Sequence, residues 1–204
     1  MFFVYQELDE LCKKGKWDEL CDKIFAYCYL YHERDTYFLE DCFSLYYGAL
    51  PNNKKYDFAI DAYIYNKGYK IPMIRNAIRH LRKYGKPELP SRIASKKIIT
   101  VYRFGLEDIN EARDRISWTL SQRVAMWFME RYVHRNIGIC EYGVGGLCTT
   151  FTYQNDGRLH LYQGKIKRDK IIAYTNSRTE FEIMQNRSVH DIIDISPQVI
   201  ILKP

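Results

Sequence analysis

The chain has 204 residues, 47% hydrophobic and 27% charged, which is enough for one or two domains with a sizeable core and excludes disorder as the default state. No apolar run approaches the roughly 20 residues of a spanning helix. The start, MFFVYQELDELCKK, lacks a basic stretch ahead of an apolar one, so a cytoplasmic chain (bacterial or host cytosol) with six reduced cysteines is expected. The net charge of +6 divides unevenly: residues 1–50 carry −5, residues 51–90 carry +6 and the remainder +5. Twelve of the 18 tyrosines lie before residue 91.

In chain order, the first 90 residues predict helix after helix. Trp17, Leu20, Cys21, Ile24, Phe25, Cys28 and Tyr31 recur at steps of three and four, and Thr36 to Tyr47 reads likewise. Pro51 opens a segment that continues through Ala59, Ala62, Tyr63 and Asn66 to Gly68. Ile71, Ile74, Ile78 and Leu81 form a further stripe, ended by Gly85, with Arg75, Arg79, Arg82 and Lys83 on the other side. From Lys67 to Lys97 ten cations face one acid, Glu88; this is a solvated face, or a face for phosphates or an acidic protein.

Pro87, Pro90 and Ser91 mark a break near residue 90, dividing a helical part, 1–90, from a β-rich part, 91–204. Strands are predicted at 98–103, 115–119, 147–153, 159–166, 170–174, 180–185, 191–195 and 199–202. One helix interrupts them, capped by Thr119 or Ser121, with Val124, Ala125, Phe128 and Tyr132 on its inner face. The fold class is therefore α+β, with a helical amino-terminal region ahead of a β-rich domain.

Four signals in the second part bear on chemistry. Val101-Tyr102-Arg103 ends a strand with an arginine. Ser117-Trp118-Thr119 places two hydroxyls on one strand face, and the helix from Val124 follows. Arg178-Thr179-Glu180-Phe181-Glu182-Ile183 is expected to put two carboxylates on one face of a strand. Taken singly, each has an ordinary structural explanation: a surface charge, an edge hydroxyl pair, a core aromatic, a solvated acidic face. Gly143-Val144-Gly145-Gly146 lacks the lysine and hydroxyl of a phosphate loop and reads as a flexible loop. The five histidines do not pair at metal-ligand spacing, no Cys-x-x-Cys occurs, and Cys140 and Cys148 read as buried thiols, so no metal is expected.

In this order the motifs resemble the mono-ADP-ribosyltransferases of the arginine–serine–glutamate type, over about residues 95–195. The matching residues are Arg103, Ser117-Trp118-Thr119 and Glu180-Phe181-Glu182. The stretch from Arg103 to Ser117 is shorter than the family's usual helical insertion, as in compact bacterial or phage members. The resemblance implies a split β-sandwich that uses NAD as a substrate. Glu182 would stabilise positive charge on the ribose, and Glu180 would serve as base or orienting group toward the acceptor. Arg103 would bind the pyrophosphate or ribose oxygens, Ser117 would fix Arg103 or the glutamate, Thr119 would brace the strand, and Phe128 or Trp118 would stack beside the nicotinamide. The acceptor implied is a macromolecule, protein arginine ahead of nucleic acid. Two alternatives stand beside this: NAD hydrolysis, with water as acceptor, and a non-catalytic nucleic-acid- or protein-binding module with a basic helical arm.

Overall fold

The computed structural model describes residues 2–30, 37–65, 72–136, 151–176 and 180–202. They form a mixed α and β protein in two compact units, Met1–Lys86 and Pro87–Pro204, with the helices first. Tyr31, Thr36, Asn66, Gly68, Ile71, the glycine-rich 143–146 segment, Cys140, Cys148, residues 147–150, Arg178 and Thr179 lie outside the described residues. No described helix is long and apolar enough to cross a membrane.

The first unit contains α1 (Phe2–Lys13), α2 (Trp17–Leu30), α3 (Phe38–Tyr46), α4 (Asn52–Tyr65) and α5 (Pro72–Arg79), followed by a 3-10 turn at Leu81–Lys83. Its core takes Leu8 and Leu11 from α1, Leu20, Ile24 and Cys28 from α2, and Leu39, Cys42 and Phe43 from α3. Phe58, Ala62, Ile74, Ile78 and Leu81 complete it, while Arg79, Arg82 and Lys83 are exposed. The tyrosine excess and the early acidity are connected here. Tyr5 donates to Asp41 (3.1 Å), Tyr27 to Glu7 (3.0 Å) and Tyr46 to Asp9 (2.8 Å). Each ring supplies apolar area to a helix contact while its hydroxyl meets a carboxylate.

The second unit begins with α6 (Ser91–Ala94) and β1 (Ile98–Gly105). Next come α7 (Ile109–Asp114), β2 (Ser117–Thr119) and α8 (Gln122–Asn136). The remaining strands are β3 (Phe151–Gln154), β4 (His160–Lys167), β5 (Ala173–Thr175), β6 (Glu182–Met184), β7 (His190–Asp194) and β8 (Val199–Leu202). Six of them make an antiparallel sheet in the order β5-β6-β2-β1-β4-β7, and β3 pairs with β8 separately. Asp108 caps α7 by accepting from the Asn110 and Glu111 N–H groups at 2.7 and 3.0 Å, and this explains the short helix absent from the sequence reading.

The two faces of the large sheet are distinct. On one lie Ile99, Val101, Trp118, Tyr162, Ile166 and Ile183, with Ile93, Val189 and Ile192. On the other, Ala125, Met129 and Val133 of α8 pack with Leu159, Leu161 and Ile200, flanked by Tyr102, Phe104 and Tyr132. The inner face of α8 is thus 125/129/133 rather than the expected Val124, Ala125, Phe128 and Tyr132. The i, i+4 row through Ala125 meets the sheet, and Phe128 stays half-buried at its side. Ser121, not Thr119, caps the helix, accepting from the Val124 N–H at 3.3 Å.

β4 shifts register between Gln163 and Lys165, where a Cβ on Gly164 would run into Val189 Cγ1. Gly164→Ala overfills this site and is expected to cost about 1–3 kcal/mol, read as a lower denaturant midpoint for the sheet unit.

Candidate active site

The site grows from the short strand β2 and its two neighbours. Thr119 lies opposite Tyr102 of β1 on one side and opposite Glu182 of β6 on the other. Directly paired residues share a sheet face, so Tyr102, Thr119 and Glu182 form one row on the α8 side. Ser117 stands two residues from Thr119 on the same face. Its hydroxyl donates to Glu182 Oε1, and Glu182 is only 5% exposed. A carboxylate so enclosed, met by a hydroxyl donor, is a preorganised negative charge for a cation brought alongside it.

Arg103 is reached differently. It pairs with Tyr162 in the unbroken β1–β4 ladder, one position beyond Tyr102, so it falls on the opposite face from Glu182, beside Trp118. Its Nη1 donates to the Ser117 carbonyl at 2.8 Å and its Nε to Glu107 Oε1 at 2.8 Å. Arg103 and Glu182 are therefore joined through one residue, Ser117, by its main chain on one side and its side chain on the other. The resemblance implied that Arg103 would bind the pyrophosphate or ribose oxygens; it stands instead on the face opposite Glu182 and is linked to it through this relay.

Glu107 was invisible in the sequence as a site residue. It is 9% exposed and also receives Arg115 Nε at 3.2 Å. Burial pushes its carboxyl up, but Arg103 and then Arg115 outweigh that and hold it below the ordinary carboxylate value. Gly105 makes room for it: a Cβ there would stand 2.7 Å from the Glu107 carboxyl carbon. The Arg103–Glu107 spacing of four was the available signal, but between a strand residue and a loop residue that spacing has no geometric meaning until the chain folds back.

The Glu180-Phe181-Glu182 stretch also departs from the sequence reading. β6 starts at Glu182, and Phe181 adopts a left-handed backbone, φ 48°. The two-residue alternation that would align Glu180 with Glu182 on one strand face does not reach Glu180. Three hydrogen bonds hold the turn. The Thr119 hydroxyl donates to the Glu180 carbonyl (2.6 Å), the Leu120 N–H to the Phe181 carbonyl (3.0 Å), and the Phe181 N–H to Asn176 Oδ1 (3.3 Å). Left-handed backbone at a non-glycine costs about 1–2 kcal/mol, and such strain persists only where the surroundings enforce it.

The aromatic candidates separate. Trp118 is 1% exposed, its ring in the core on the face away from Ser117, so it offers no stacking surface. Phe128 is half-buried on α8, its ring edge-on to Trp127 at 5.0 Å. Among the described residues no group of three or more His, Cys, Asp or Glu is placed to hold a metal ion. Comparison with family models, with curated proteins and with solved structures yields no match.

The Arg103–Glu107–Arg115 cluster gives a pH test. A carboxylate whose folded pKa is depressed contributes stability above its unfolded value and loses it as pH falls through the folded value. Glu107→Gln is expected to lower stability at neutral pH by about 2 kcal/mol, the scale of hydrogen bonds to charged groups. It should also flatten the decline in melting temperature on acidification below the ordinary carboxylate range. Thermal unfolding from neutral to acidic pH, wild type against variant, checks both.

Proposed function

We propose that the chain is an NAD-dependent mono-ADP-ribosyltransferase, its second unit an ADP-ribosyltransferase-like split β-sandwich of the compact bacterial or phage kind. The observation that carries this reading is the Ser117 hydroxyl donating to the buried Glu182 carboxylate on the row with Thr119 and Tyr102. It is supported by the order of Arg103, Ser117-Trp118-Thr119 and Glu180-Phe181-Glu182 along the chain.

In the reaction, the bond between ribose C1′ and the nicotinamide nitrogen breaks, and its electron pair leaves with nicotinamide. The ribose passes through an oxocarbenium-like state, as in glycoside hydrolysis. Glu182, enclosed and oriented by Ser117, stabilises that charge and accepts from the 2′-hydroxyl. The acceptor's lone pair then bonds to C1′, and its proton passes to Glu180, which the left-handed turn at Phe181 sets apart from Glu182. Arg103 acts at one remove, fixing the Ser117 carbonyl, and Thr119 braces the turn through the Glu180 carbonyl. Phe128 is the aromatic left for the nicotinamide, Trp118 being spent in the core. The acceptor is a macromolecule, with protein arginine preferred because a guanidinium needs a base before it can attack.

Incubation with NAD labelled in its adenosine part, with and without cell lysate, tests the reading. Label on a macromolecule is the expected result; label only in free ADP-ribose makes the chain an NAD glycohydrolase. No turnover leaves a binding module. Glu182→Gln is expected to reduce both nicotinamide release and transfer by about 10²-fold, the scale of one preorganised contact of roughly 3 kcal/mol. Glu180→Gln is expected to reduce transfer while sparing much of the hydrolysis. Equal loss of hydrolysis in both variants would overturn the division of roles.

A further inference from the structure

β1 extends from Ile98 to Gly105, but β2 pairs with it only at Tyr102. Beyond Thr119 the chain leaves the sheet for α8, so among the described residues Ile98–Val101 have a strand partner in β4 alone. The vacated edge, closed at one end by α6, forms a cleft of about 300 Å³ lined by Arg92, Ile93, Lys96, Ile98, Ile99, Thr100, Tyr102 and Leu120. That volume suits part of a ligand, since whole small-molecule sites run from about 300 to 1,000 Å³.

Among the described residues the lining is one-signed: two cations, a threonine hydroxyl, a tyrosine and no carboxylate. Arg92 is not loose. Its guanidinium sits 4.9 Å from the centre of the Phe181 ring, at the left-handed turn beside Glu182. The base of α6 is tied down by Arg168, whose Nη1 donates to the Ala94 carbonyl and whose N–H meets the Lys97 carbonyl at 3.0 Å. The cleft is also close to the carboxylate. Tyr102 on its rim is two strand spacings from Glu182 on the same face, about 10 Å at the usual 4.7–4.9 Å per strand. Arg103, by contrast, is on the far face, held in an ion pair with Glu107 that Arg115 shares.

We propose that this cleft binds the diphosphate of the substrate, with Arg92 and Lys96 as its counter-charges in the place that sequence order gave to Arg103. The inference rests on the NAD reading above for the ligand's identity. For the anion subsite itself it rests only on the cleft. A dinucleotide with its nicotinamide ribose against Glu182 would lay its diphosphate toward Tyr102 and Thr100, where Arg92 meets it as a planar fork and Lys96 as a mobile point charge.

The test uses the full chain and backbone-amide NMR, titrated separately with inorganic pyrophosphate, ADP-ribose and a single-stranded oligonucleotide. Saturable shifts at Arg92, Lys96, Thr100 and Leu120 with the first two ligands are expected. Arg92→Gln with Lys96→Gln should weaken both at least tenfold, and Arg92→Lys should recover part of the loss. Shifts centred on Arg103, Glu107 and Ser117, or no saturable shift, would overturn the proposal. So would oligonucleotide binding that ADP-ribose does not displace, which would make the cleft part of a polyanion surface. NAD turnover followed on the same samples keeps the two readings apart. ADP-ribose held in the cleft without any turnover supports the subsite and sinks the enzyme.

Discussion

The proposed catalytic constellation passes through Ser117. Its carbonyl receives Arg103, its hydroxyl gives to Glu182, and its position in β2 fixes Thr119 between Tyr102 and Glu182. A three-residue strand is a slender support for so much, and the sequence around it compensates. Trp118 anchors it from the opposite face, almost wholly buried, so the strand cannot shift register without drawing a large ring out of the core. The alternation of a strand thus serves two ends in three residues, with the middle one holding and the outer two working.

A second consequence of the short strand is the turn at Phe181. Because β2 gives way to α8 after Thr119, the chain opposite it is free to leave sheet geometry ahead of Glu182. Thr119 and Leu120 use that freedom to bind the turn with a hydroxyl and an N–H. The two glutamates therefore receive different environments although one residue separates them. Glu182 is enclosed within the sheet, while Glu180 is half-exposed in the bend before it. A division of labour between two carboxylates needs such unequal surroundings.

Much of this architecture was legible in the residues. The helical stripes before residue 90, the strands at Ile98 and His160, and the strand–helix step at Ser117 to Gln122 follow from periodicity and capping alone. What periodicity does not carry is the point where it stops. The Glu-x-Glu reading extended strand alternation two residues too far, and nothing in Glu180-Phe181-Glu182 marks Phe181 as left-handed, because its conformation comes from Thr119, Leu120 and Asn176. Arg103 was read as the last residue of its strand, whereas β1 runs on to Gly105, and its face relative to Glu182 depends on the register with β2. Trp118 was weighed as a ligand contact because a strand's buried side cannot be told from its cleft side before the partner layers are known. Glu107 and Arg92 belong to loop and short-helix segments, whose side chains acquire meaning only from what folds against them.

The tyrosine–carboxylate bonds of the helical unit have a consequence for how that unit responds to its medium. Three of its helix contacts close with a neutral hydroxyl donating to an acid rather than with two opposite charges. Added electrolyte weakens attraction between exposed opposite charges, with a Debye length of about 8 Å at physiological ionic strength. It has far less hold on a short bond whose donor carries no formal charge. Those three contacts are thereby less sensitive to ionic strength than the Lys23–Glu7 and Lys54–Asp18 ion pairs that also join the helices. The exposed arginines and lysine at Arg79, Arg82 and Lys83 are not consumed in holding the helices together, and their field remains available at the surface.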